Sequence, residues 1–301
     1  MSGVRSGIIG LGNMGGRIAR RVRDAGMPIV GYDVSEAQLA ASGIEPATSI
    51  PDLAAQVDAV FLSLPDSHVV ETVVYGEGGL LESTPAGTVV VDLSTSAPAS
   101  TTRIQAAFAE RSVEFVDAGI SGGAAAAEQG TLSIMAGGSE AALARVTPVL
   151  EAFSARVYHM GPSGSGHVAK LLNNFLNGIS LAATAEVMVA AKRADLDLVQ
   201  FLDVVNHSSG VNFATQNRFP RIVEGDYLEG GLTNNLMAKD LRLYLEYLQQ
   251  IEVTSFTGAA CLGAFNLATS LGYGDEISNR VVDAIGDVAG GVRIQAKGDE
   301  G

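Results

Sequence analysis

Lys170 and Asn174 stand four residues apart in GHVAKLLNNFLNG (166–178), a run otherwise made mostly of small and apolar residues. Four residues is about one helical turn, so the two side chains share a helix face. A lysine beside a carboxamide in such a place is either an ordinary polar stripe or a proton donor with an aligning partner, and the stretch alone leaves both open. A second chemical signature lies near the other end of the chain. GIIGLGNMGGRIAR fits G-x-G-x-x-G at Gly10, Gly12 and Gly15, with Leu11, Asn13 and Met14 between them. Gly10 permits the tight turn, Gly12 lets backbone approach a pyrophosphate, and Gly15 lets a helix pack on the preceding strand. The N–H groups at the start of that helix then face the phosphates. Asp33 ends the segment GYD, about 20 residues downstream, where a carboxylate accepts the ribose hydroxyls of a dinucleotide. A carboxylate there repels a 2′-phosphate, and the following DVSEAQ offers no Arg or Lys to welcome one. The reading is therefore NAD rather than NADP.

Those residues need elements to hold them. SGIIG (6–10), PIVGYD (28–33), AVFLSL (59–64), TVVVDLS (88–94) and EFVDAG (114–119) are short apolar runs rich in β-branched residues, and LSIMAGG (132–138) and RVYHMG (156–161) continue the pattern. Helical segments separate them, which predicts an α/β fold with a doubly wound (Rossmann) parallel sheet buried on both faces. After GPSGSG (161–166) the β-runs stop. Helices are predicted over 167–194, 197–209, 234–251, 256–271 and 277–288. The expected organisation is a dinucleotide-binding domain over 1–163, a long interdomain helix over 164–194, and an all-helical substrate and oligomerisation domain over 195–301. The long helix is apolar on most faces, which predicts burial all round, in part against another subunit.

Composition narrows the function classes. Hydrophobic residues make up 47% and charged residues 17% of the 301, as in a compact globular protein with a large core. A net charge of −14 repels nucleic acid and anionic lipid, and the one basic cluster, RIARRVRD (17–24), has the spacing of a solvated helix face. The apolar stretch 175–191 contains Asn177 and Glu186 and reads as a core helix, not a membrane span. A single cysteine, Cys261, in apolar surroundings suits a reducing compartment, and no signal peptide precedes the first strand, so a cytoplasmic location is expected. His68, His159, His167 and His207 have no ligand spacing, so no metal is expected.

Five segments together resemble the β-hydroxyacid dehydrogenase family, which includes 3-hydroxyisobutyrate dehydrogenase and tartronate semialdehyde reductase. They are GLGNMG (10–15), DLSTSAP (92–98), SGGAAAAEQGTLSIMAGG (121–138), GHVAKLLNN (166–174) and LMAKDL (236–241), in the family's order and covering nearly the whole chain. The resemblance implies oxidation of a small 3-hydroxy acid, a carboxylate or its sulfonate analogue, to a semialdehyde or keto acid with a nicotinamide cofactor and no metal. It implies that Lys170 is the catalytic lysine and that Asn174 orients the substrate. Hydride loss from a hydroxyl-bearing carbon requires the hydroxyl proton to leave as well, which gives a base at Lys170 its task. Ser121, Gly122 and Gly123 resemble the substrate-carboxylate site, where consecutive N–H groups can form an anion-binding concavity. Leu64, Pro65 and Thr95 resemble cofactor contacts. Lys239 resembles a lysine that reaches cofactor and substrate, and the resemblance places Asp240 beside it among the cofactor contacts; taken alone, either could be a surface charge. A homodimer or homotetramer is implied too.

Two departures touch the substrate loop: DAGIS lacks the family's frequent proline, and Ala126 replaces a common glycine. GVNFATQNRFPR (210–221) and GGLTNN (230–235) are candidates for pocket lining. Arg218 either meets an anionic substituent or, the favoured reading, lies at the surface. The rival readings are an imine reductase of the same fold, against which Lys170 argues, and a non-catalytic dinucleotide-binding scaffold.

Overall fold

The computed structural model describes residues 4–295. Its two compact units adjoin in sequence between Lys170 and Leu171. The first contains one sheet of eight strands: β1 (Ser6–Ile9), β2 (Ile29–Tyr32), β3 (Glu45–Pro46), β4 (Ala59–Leu62), β5 (Val89–Asp92), β6 (Glu114–Ser121), β7 (Leu132–Gly137) and β8 (Ser154–Gly161), in the order β3-β2-β1-β4-β5-β6-β7-β8. The first six are parallel in the doubly wound order 3-2-1-4-5-6. Alternate residues serve opposite faces. Ile8, Phe61, Val91 and Val116 enter one apolar core, and Ile9, Leu62, Val90 and Phe115 enter the other. That is why these strands read as continuous apolar runs.

The sheet departs from an all-parallel arrangement at β7, which pairs antiparallel with β6. The reason is connection length. A parallel crossover needs a dozen or more residues, and the helix between β6 and β7 is only Gly123–Gln129. Between β7 and β8 the longer helix Glu140–Leu150 intervenes, and those two strands are parallel to each other. β3 was not read from the sequence; its two residues are too few to show a period.

The second unit is helical and begins within the helix Ser165–Arg193, which carries the chain out of the first. Leu181, Ala185 and Met188 of that helix join a core completed by Phe219, Met237, Leu241, Phe265 and Val281. Its further helices include Leu198–Asn206, Asn234–Gln250, Gly258–Ala268 and Val281–Val288. Two short helices, Phe213–Asn217 and Phe219–Val223, lie in or overlap the segment 210–221 read from sequence as a candidate for pocket lining. Asn212 and Thr215 form a capping box at the first, and a proline stands in the first turn of the second.

By length and composition Ser165–Arg193 could cross a bilayer, but its core positions identify a core helix. Within one chain it is not buried all round. Leu172, Leu176 and Val187 are 42%, 62% and 48% exposed and recur at helical spacing, so one apolar stripe is left uncovered within the chain.

Candidate active site

The glycine loop occupies the carboxyl end of β1. Gly10 has φ +93, and a Cβ there would stand 2.3 Å from the Ser63 carbonyl oxygen, so no other residue fits the turn. A Cβ on Gly12 would meet nothing within 4 Å, which leaves room for a ligand against the backbone. The helix that follows, Gly15–Asp24, has neither a side-chain N-cap nor an acidic residue in its first turn. Its leading N–H groups and positive dipole end therefore suit an anion. Asp33, just past β2, accepts from Leu11 N at 2.7 Å through Oδ2 and from Ser35 N at 2.8 Å through Oδ1. It fixes the loop, and each oxygen keeps a further lone pair for a ribose hydroxyl. These residues fit a dinucleotide.

Leu64, Thr95 and Ser121 lie at the carboxyl ends of β4, β5 and β6, the strands next in order after β1. Leu64 N donates to Ser94 Oγ at 3.0 Å, tying two of those ends together. Pro65 is exposed and Thr95 half-buried beyond them. Gly122 and Gly123, after β6, have φ +128 and +71, and the short helix they introduce has no side-chain cap.

Lys170 is placed by β6. Along that strand Asp117, Gly119 and Ser121 alternate with their neighbours and so face one side of the sheet. The Asp117 carboxylate accepts from Gly164 N at 2.6 Å and His167 N at 2.8 Å, which satisfies donors at the start of the long helix and complements its dipole. One turn on, the helix passes over Gly119, where an added Cβ would fall 2.5 Å from Lys170 Cβ and 3.3 Å from the Gly166 carbonyl oxygen. The missing side chain of Gly119 is thus the space filled by the stem of Lys170, itself only 9% exposed. Ser121 is the next residue along the same strand face.

His167 pins the same helical turn. It is fully buried, with Nε2 3.2 Å from the Asp92 carbonyl and Nδ1 2.7 Å from Thr101 Oγ1. A carbonyl only accepts, so Nε2 donates to it, and Nδ1 hydrogen-bonds with the Thr101 hydroxyl. None of Asp92, Thr101, Asp117, Gly119 and His167 was singled out from the sequence as a site residue. The one available signal was Asp117, a carboxylate inside the apolar run EFVDAG.

In the helical unit Asn174, Asp240 and Lys239 come together. Asn174 Nδ2 donates to Asp240 Oδ2 at 2.5 Å, and Lys239 Nζ lies 3.2 Å from Asp240 Oδ1. Asp240 is 2% exposed, so it is a buried carboxylate and not the surface one that its segment taken alone would allow. It fixes the Asn174 amide and thereby directs the amide oxygen elsewhere. Arg218 also departs from its favoured surface reading. It is half-buried, and burial pushes its guanidinium down to about 10. Its Nη1 and Nη2 donate to Asn279 Oδ1 at 2.7 Å and Asn177 Oδ1 at 2.9 Å. Among the described residues no group of three or more His, Cys, Asp or Glu is placed to hold a metal ion.

Comparison with known proteins covers nearly the same span. Residues 5–161 match the family model of the NAD binding domain of 6-phosphogluconate dehydrogenase, and residues 164–285 match that of the NAD-binding domain of NADP-dependent 3-hydroxyisobutyrate dehydrogenase. The chain is 34% identical over 282 residues to 2-(hydroxymethyl)glutarate dehydrogenase of Eubacterium barkeri, covering 93% of this chain and 94% of that one. It is 36% identical over 277 residues to the NAD-dependent L-serine dehydrogenase of Pseudomonas aeruginosa, covering 89% and 93%. The crystal structure of 3-hydroxyisobutyrate dehydrogenase from Salmonella typhimurium superposes with a TM-score of 0.81 at 33% identity, covering 93% of this chain and 99% of that one.

Proposed function

The chain belongs to the β-hydroxyacid dehydrogenase family, and from that premise we propose that it oxidises a small 3-hydroxy acid with NAD, using Lys170 as general base. In reduction Lys170 is the general acid. The observation that carries this reading is Lys170 buried in the space left by Gly119, beside Ser121 on one strand face, with Asn174 a turn further along its helix. NAD, when bound, supplies the hydride acceptor. The chain's own part is to hold the substrate carboxylate at Ser121, Gly122 and Gly123, to take the hydroxyl proton on Lys170 Nζ, and to orient the reacting hydroxyl with Asn174. The carbon loses hydride and the oxygen its proton, so the product is the carbonyl compound. Hydroxyisobutyrate, serine, threonate, glycerate and a sulfonate analogue, each assayed at fixed NAD by absorbance of the reduced cofactor, test the reaction. No turnover with any of them, in protein that binds NADH, favours the non-catalytic scaffold.

Asp33 sets the cofactor preference in this reading, by repelling a 2′-phosphate and accepting ribose hydroxyls. The expected result is a higher kcat/KM with NAD than with NADP. Asp33→Asn narrows that ratio by about 10–100-fold, the worth of a hydrogen bond to a charged group. Equal use of both cofactors by the unaltered protein overturns the assignment.

The apolar stripe of Leu172, Leu176 and Val187 supports a homodimer or homotetramer in which a second copy covers it. Light scattering at micromolar concentration should give at least twice the 31.0 kDa chain mass, and a monomer mass refutes it. Cys261 is buried, and burial pushes its thiol up to about 12, so it is an inert core thiol.

A further inference from the structure

Asp92 and Asp117 stand opposite each other where β5 and β6 pair. His167 is bonded to both. Its backbone N–H donates to Asp117 Oδ2 at 2.8 Å, and its ring Nε2 donates to the Asp92 carbonyl at 3.2 Å. The ring is fully buried, and Nδ1 lies 2.7 Å from Thr101 Oγ1. An apolar side chain would fill the same space without the cost of burying two ring nitrogens. What the imidazole adds is direction: a donor fixed on one carbonyl.

From Asp92 the bonds lead to the cofactor side. Its Oδ1 accepts from Ser94 N at 2.9 Å and its Oδ2 from Ser96 Oγ at 2.8 Å, so Asp92 shapes residues 93–96, Thr95 among them. Ser94 Oγ in turn accepts from Leu64 N. In the other direction Lys170 is three residues beyond His167, about 4.5 Å along the same helix. Side chains reach about 5–6 Å from a helix axis, so a roll of about 10° moves them by about 1 Å. Asp117 grips backbone N–H groups close to the axis, where it opposes a roll weakly. The His167 ring grips further out, with a longer lever arm. We propose that His167 is a positioning residue for the reaction: its ring, through the Asp92 carbonyl, keeps Lys170 in register with the loop that carries Thr95. This role rests on the dehydrogenase reading above, in which Lys170 takes the proton and Thr95 meets the cofactor.

Two substitutions separate direction from bulk. In His167→Gln the amide nitrogen stands as many bonds from Cα as Nε2 does, and it still donates to the Asp92 carbonyl. In His167→Asn it stands where Nδ1 does and falls short. Turnover of 3-hydroxyisobutyrate and L-serine, each also deuterated at the hydroxyl-bearing carbon, is followed with NAD. Tm, NADH titration and the nitrogen NMR signal of the Lys170 ammonium in the NADH complex are measured beside it. His167→Asn should lower kcat by about 100-fold, the cost of a shift of about 1 Å at a reacting group. It should also raise the deuterium isotope effect on kcat and displace the Lys170 signal, with KM and NADH affinity little changed. His167→Gln should restore most of kcat and the signal of the unaltered protein. Thr101→Val, which removes one partner of the ring, should act in the same sense more weakly, and it decides the case if His167→Asn does not fold. Unaltered kcat and Lys170 signal in that variant overturn the proposal. A ring that only packs predicts equal losses of Tm and activity in Gln and Asn, with the isotope effect and Lys170 signal unmoved, which also overturns it. No turnover by the unaltered protein, with the Lys170 signal displaced by Asn and kept by Gln, overturns the reaction and upholds the coupling of His167 to Lys170. A signal that neither substitution moves ends the proposal whatever the turnover.

Discussion

Replacing Lys170 with alanine is expected to lower kcat by about 10²–10⁴-fold, the usual worth of a positioned general acid or base. The size of the effect follows from where the side chain is held. Its stem fills the space over Gly119 and its burial is nearly complete, so no other base is shown to take its position. NADH affinity should stay near that of the unaltered protein, because the glycine loop and Asp33 are organised by contacts among themselves, Leu11 N to Asp33 above all. A lysine retained only for packing predicts the opposite pattern: turnover survives in whatever protein folds, and the loss appears in Tm. Asn174→Ala should act mainly on KM, since the amide, fixed by Asp240, orients a substrate and transfers no proton. Turnover, NADH titration and thermal denaturation on the Lys170 variant decide between the readings. Near-normal kcat in a folded variant that binds NADH sinks the general-base role.

What could be read from the chain before its structure was what is local in sequence. The glycine loop is six residues long, and the Lys170–Asn174 pair is a single helical turn. Both declare themselves by spacing, because the physics that makes them useful acts over that spacing. Contacts across the fold leave no such mark. Gly119 looks like any glycine at a strand end until the helix bearing Lys170, fifty-one positions on, is seen to pass over it. Asp117 and His167 are likewise fifty apart and meet only in space. Asp240 reads as a surface charge because nothing nearby in sequence predicts that Asn174 will bury against it. Arg218 was misjudged for the same reason: Asn177 and Asn279 lie 41 and 61 positions away. The antiparallel β7 is different. The twelve residues between EFVDAG (114–119) and LSIMAGG (132–138) meet the dozen that a parallel crossover needs, and only the extension of β6 to Ser121 shortens the connection below it.

Gly119→Ala should therefore be far more damaging than the addition of one methyl group suggests. The new Cβ would stand 2.5 Å from Lys170 Cβ, against the 3.4 Å at which ordinary contact begins. The atoms it meets belong to the base of the lysine side chain, so a rotamer change at the ammonium end relieves nothing. Either the strand or the helix must shift, on the order of 1 Å, and misplacement of that size at a reacting group can cost about 10²-fold in rate. Both elements resist. Asp117 holds Gly164 N and His167 N, and His167 is wedged between Thr101 and the Asp92 carbonyl, all within two turns of Lys170. Overpacking of this kind costs about 1–3 kcal/mol, and each kcal/mol moves Tm by roughly 2–4 °C in a unit of this size. The variant should still fold and bind NADH, melt a few degrees lower, and turn over about a hundredfold more slowly. Because the substitution leaves Lys170 in place, loss of rate here together with loss in Lys170→Ala shows that position, and not mere presence, of the lysine governs the reaction. Wild-type kcat in Gly119→Ala would mean that the helix start tolerates displacement and that the contact between Gly119 and Lys170 does not set the geometry of proton transfer.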